Sequence, residues 1–89
     1  MEELELIYGK LEYLDIKQLP NLKKLNLFSN QLSEVDLSCN RKITWIHAGS
    51  NMFKNFDVAM LPGLTYLQMS DTDFITQIDL SSNPLLENL

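Results

Sequence analysis

His47 is the only histidine and Cys39 the only cysteine of the chain, so the side chains best suited to nucleophilic or metal chemistry each stand alone. A histidine works as a general base only beside an orienting group and a nucleophile. No serine, base and acid spacing of that kind surrounds His47. A zinc site asks for several nitrogen and sulfur ligands, and one cysteine builds no disulfide framework. Of the groups near Cys39 only Arg41 could activate a thiol, and Cys39 reads as a small turn residue. Gly9, Gly49 and Gly63 are isolated, which excludes a glycine-rich phosphate loop. We expect no catalytic residue, no cofactor and no metal site, and read His47 as a surface contact.

Carboxylates are the next candidates. Asp15, Asp36, Asp57 and Asp79 recur at steps of 21, 21 and 22 residues. Stacked at a strand spacing of ~4.8 Å, like charges repel by roughly 1 kcal/mol per neighbour. Relief is expected from hydroxyls such as Ser38 and Ser81, from water, or from a cation. Calcium asks for about six to eight oxygens wrapped around it, and a straight column wraps poorly. A solvated ladder is the expectation, with no metal assigned.

A third set suits binding rather than catalysis. Lys24, Trp45 and Tyr66 recur at steps of 21 residues, as do Asn26, His47 and Gln68. If residues one step apart stack in space, Phe28, Trp45, His47 and Tyr66 share one surface, flanked by Lys24, Asn26 and Gln68. Aromatic anchors among polar groups are the usual makeup of a protein-binding patch. A sugar ring could also stack on Trp45 or Tyr66. The competing reading is structural, because aromatic residues favour strands and pack on one another across a ladder. We take these seven as the candidate ligand-binding residues.

The elements that must position them follow from a repeat. Units of the form apolar-x-x-apolar-x-apolar begin at Met1, Leu22, Ile43 and Leu64, with Leu86 and Leu89 opening a fifth. A second series interleaves, at Leu11/Leu14/Ile16, Leu32/Val35/Leu37, Phe53/Phe56/Val58 and Ile75/Ile78/Leu80. Both recur at 21 residues, with one extra residue near Asp73 and Phe74. All 26 ladder positions are apolar in a chain that is 45% apolar. Chance would fill them on the order of once in a billion. Position nine of the units is Gly9, Asn30, Asn51 and Thr72 in the first series, and Leu19, Asn40, Leu61 and Asn83 in the second. Asparagine both donates and accepts, so it can satisfy backbone groups where the chain turns inward. Prolines at Pro20, Pro62 and Pro84 mark corners.

Units of 10 and 11 residues cannot hold a strand and a full helix. The spacing predicts a mainly β solenoid of about four 21-residue turns, with two short parallel strands per turn in two parallel sheets and little or no helix. Composition agrees with a binding scaffold. A net charge of −5 argues against nucleic acid, which needs a basic stripe. No apolar run approaches the ~20 residues of a membrane-spanning helix. The acidic start, Met1-Glu2-Glu3-Leu4-Glu5, lacks the basic n-region of a signal peptide.

The lines Leu22-Lys-Lys-Leu25-Asn-Leu27-Phe-Ser-Asn30-Gln-Leu32 and Ile75-Thr-Gln-Ile78-Asp-Leu80-Ser-Ser-Asn83-Pro resemble the leucine-rich-repeat family, whose hallmark is LxxLxLxxN. Two such units in 21 residues are similar to a bacterial nested-repeat subclass found in Bacteroidetes-type surface proteins. The resemblance covers nearly all of residues 1–89, a single repeat array without polar caps. It implies a fragment of a longer array, or end-to-end self-association through the open ends. It further implies an extracellular or cell-surface, non-catalytic module that recognises a protein ligand. The alternatives are a substrate-recognition segment of a larger enzyme, or a structural spacer. Leu19 and Leu61 depart from the family's asparagine.

Overall fold

The computed structural model describes residues 1–70 and 78–87 of the chain. Its strands are β1 (Glu3–Glu5), β2 (Lys24–Asn26), β3 (Trp45–His47) and β4 (Tyr66–Gln68). All neighbouring pairs are parallel, in chain order. Leu4, Leu25, Ile46 and Leu67 pair in register as successive rungs. No helix occurs among the described residues, and none there is long and apolar enough to cross a membrane. Thr72, Ile75, Leu89 and the extra residue near Asp73 and Phe74 lie outside the described residues.

Each strand is one apolar residue between two outward ones, so one side of the sheet is buried. Leu25, Ile46 and Leu67 are fully buried, as are the ladder residues Leu22, Leu27, Ile43, Ala48 and Leu64. Burying a leucine or isoleucine side chain is worth about 1.5–3 kcal/mol, so every added turn contributes several such contacts to its neighbours. The strands stay short because the chain turns inward directly after them. Tyr8, Ser29 and Ser50 hold φ at 54°, 63° and 55°, a left-handed conformation costing an L residue roughly 1–2 kcal/mol. Its recurrence at position eight marks a built corner.

Asparagine at position nine holds that corner. Asn30 donates through Nδ2 to the carbonyls of Leu6 (2.6 Å) and Leu27 (3.0 Å), and its Oδ1 accepts Leu11 N–H at 3.3 Å. Asn51 repeats this one turn on, donating to Leu27, Ala48 and Gly49 and accepting Leu32 N–H at 3.1 Å. Gly9 holds the same position in the first turn because a Cβ there would sit 2.6 Å from Asn30 Oδ1.

The second series lines the opposite side of the core. Ile16, Leu37 and Val58 are buried, and Phe53 packs edge-on against Phe56 at 4.9 Å. The second parallel sheet expected from the alternating pattern does not form among the described residues. Neighbouring segments are joined near their starts by single backbone bonds, Gln31 N–H to Leu11 O and Met52 N–H to Leu32 O, each 2.8 Å. The cause is an early commitment to the corner. Asp15, Asp36, Asp57 and Asp79 each accept, through Oδ1, the N–H two residues on, at 2.9–3.0 Å. Such Asx turns compete with a strand ladder for the backbone. Two successive turns then close each corner, as in Leu19 N–H to Ile16 O and Leu22 N–H to Leu19 O. Among the described residues the architecture is therefore one four-stranded parallel sheet backed by a wall of turns.

Candidate functional site

The outward rows of the sheet are fixed by its register. Glu3, Lys24, Trp45 and Tyr66 form one row, and Glu5, Asn26, His47 and Gln68 the next. All seven expected binding residues lie on this face, Phe28 just beyond β2. They pack as a continuous strip. Phe28 lies 4.8 Å from the His47 ring, His47 meets Trp45 edge-on at 6.3 Å, and Trp45 stacks on Tyr66 at 4.9 Å with 6° between planes. Lys24 Nζ sits 4.7 Å from the centre of the Trp45 ring, a cation–π contact. Lys24 and Tyr66 come from the strands on either side of β3, so both faces of Trp45 are covered and its edge meets solvent.

The strip has one more member. Tyr8 packs edge-on against Phe28 at 5.4 Å and is 74% exposed. The outward columns of the repeat do not include position eight, and only the left-handed corner swings Tyr8 onto this face. A non-glycine residue ahead of Gly9 was its sole trace in the sequence.

The second row has its own hydrogen-bond pattern. Asn26 Oδ1 accepts Phe28 N–H (3.1 Å), His47 Nδ1 accepts Gly49 N–H (3.3 Å) and Gln68 Oε1 accepts Ser70 N–H (2.9 Å). Each side chain thus uses its acceptor on the backbone two residues ahead, as the aspartates do in the other series. With the acceptors committed, Asn26 Nδ2, Gln68 Nε2 and the His47 Nε2–H remain as donors. Burial holds the His47 pKa below its ordinary value, so the ring is neutral near pH 7 with its proton on Nε2. Gly49 leaves room for this packing, since a Cβ there would lie 2.9 Å from Ser70 O and 3.1 Å from the His47 ring. Glu5 is the exception in the row, making no such bond.

This fold is shared with a solved structure. The functional domain of InlJ from Listeria monocytogenes, which includes a cysteine ladder, matches with a TM-score of 0.68 and 21% identity. The match covers all of this chain and 24% of that one, so the chain spans about a quarter of its length. The fold is that of the leucine-rich repeats. No protein-family profile matches the chain, and no curated protein matches it. Where InlJ has a ladder of cysteines, this chain has one cysteine, the exposed Cys39, and its buried polar side chains among the described residues are Asn30, Asn40, Asn51 and Asn83.

The aspartates stay apart from the strip. Ser38 donates its hydroxyl to Asp36 Oδ1 at 2.6 Å. That bond, with the Ser38 N–H and the charge of Lys17 3.9 Å away, lowers the Asp36 pKa against a smaller opposing effect of burial. Ser81 does the same for Asp79 through its hydroxyl and N–H. The hydroxyl relief expected for the carboxylate column is therefore present at two of its four members.

Proposed function

We propose that this chain is a non-catalytic recognition module that binds a segment of another protein across the open face of its sheet. The observation that carries this reading is the pairing of the continuous Tyr8–Phe28–His47–Trp45–Tyr66 strip with a parallel line of free donors at Asn26, His47 and Gln68. Aromatic side chains give contact area at little entropic cost, and donors with fixed geometry give orientation. A rigid parallel sheet holds both in place, so little ordering remains to oppose binding. A sugar stacks on an open aromatic face, and both faces of Trp45 are covered, which disfavours a sugar on that ring.

The test compares wild type with a Trp45→Ala, Tyr66→Ala double variant, both checked for unchanged circular dichroism. Immobilised wild type should retain proteins from a cell extract that the double variant loses. Equal retention by both removes this face from the reading.

A further inference from the structure

The face described above is electrically lopsided, and this names the chemistry of its partner. Its β1 end carries Glu3 and Glu5, both exposed. Neither has a cationic partner among the described residues. Lys24 pairs with Glu3 in register, yet its ammonium lies over the Trp45 ring. Lys23, a further cation near this end, binds Glu2 at 3.4 Å. Glu5 also stands outside the pattern that engages every other described residue at its unit position. Asn26, His47 and Gln68 in this series, and Asp15, Asp36, Asp57 and Asp79 in the other, all accept the N–H two residues on. The Glu5 carboxylate is left free beside the exposed apolar groups of Ile7 and Tyr8.

We propose that the face takes a basic–aromatic peptide segment of a partner protein, lying across the strands, with its cationic side chain on Glu5 and Glu3 and its apolar anchor against Phe28 and His47. This rests on the recognition reading above and adds the partner's chemistry and direction. Two strand spacings separate β1 from β3, about 10 Å. A polyproline-II segment advances about 3.1 Å per residue with about three residues per turn, so a cation and an anchor three residues apart fall on one side at roughly this distance. The neutral donors of Asn26, His47 and Gln68 meet the segment's carbonyls and do not repel its charge.

The experiment uses the full chain and fluorescein-labelled glycine–serine dodecapeptides. Each carries one tryptophan and, three residues away, an arginine, a glutamine or a glutamate. An exposed ion pair is worth up to about fivefold in affinity. Fluorescence anisotropy at low salt should rank arginine above glutamine above glutamate, with about tenfold between the extremes. A Glu3→Gln, Glu5→Gln double variant should compress that range to about twofold. Raised salt should compress it likewise. A ranking that survives the double variant overturns the proposal, as does equal binding of all three peptides. Those results leave the recognition reading standing if the Trp45→Ala, Tyr66→Ala variant still loses its retained proteins. Failure of every peptide to bind overturns the proposal also.

Discussion

Two asparagines at the same unit position should differ sharply in what they contribute. Asn51 and Asn40 are both buried, and each donates its amide to neighbouring carbonyls. Their partners differ. On truncation of Asn51 to alanine, Leu27 O keeps the Asn30 amide and Gly49 O keeps Ser29 N–H. Leu32 N–H and Ala48 O lose the partner Asn51 gives them. Each buried orphan costs about 1–3 kcal/mol, so Asn51→Ala should cost about 4 kcal/mol. Asn40 bonds Ile16 O and Leu19 O, which already accept Leu19 N–H and Leu22 N–H within the corner turns. Its own Oδ1 is buried without a partner, so truncation also removes an unsatisfied group. Asn40→Ala should therefore cost less than about 1 kcal/mol beyond the space it vacates. The same logic explains how Leu19 and Leu61 occupy this position. Urea unfolding followed through the single tryptophan, Trp45, reads both variants. Equal midpoint shifts for the two would refute the argument.

Other expectations concern the core and the titrating groups. Phe53→Ala, at a fully buried ring packed on Phe56, should cost about 3–5 kcal/mol, and a loss under about 1 kcal/mol in the same assay would contradict the packing described. His47 titrates below its ordinary 6.5 in the folded chain because burial disfavours its charge. Above that value both states are neutral; below it the unfolded chain takes up the proton first, so stability falls as pH drops. Urea midpoints at about pH 7.5 and about pH 5.5 should differ less in His47→Gln than in wild type. Ser38→Ala removes the largest cause of the lowered Asp36 pKa, and carbon-detected NMR titration should show that carboxyl moving up toward its ordinary value. An unmoved Asp36 titration would show that the hydroxyl bond does not act.

Much of the sheet was legible because its signal is redundant. Leu25, Ile46 and Leu67 each sit between outward residues at a spacing of 21, and the register observed is that spacing made physical. The rows Lys24, Trp45, Tyr66 and Asn26, His47, Gln68 follow from it directly. The other half of each turn was misread because alternation of Val35 and Leu37, or Phe56 and Val58, serves a curling segment as well as a strand. The discriminating mark was local. Asp36 and Asp79 precede Ser38 and Ser81 by two residues, which is turn chemistry. At the site, spacing could place side chains on a face but not say which way each amide pointed. The shared acceptor role of Asn26, His47 and Gln68, and its absence at Glu5, belong to hydrogen-bond geometry alone. Tyr8 joined the strip through a backbone angle that no apolar pattern encodes.

The asparagine ladder has a direction. Asn30 reaches back to Leu6, Asn51 back to Leu27, Asn40 back to Ile16 and Asn83 back to Val58. Each of the first three coils is thus clamped by its successor, as each course of bricks is held by the one laid over it. Duplicating a 21-residue coil in the middle of the stack leaves all these clamps intact, which makes lengthening by gene duplication structurally simple.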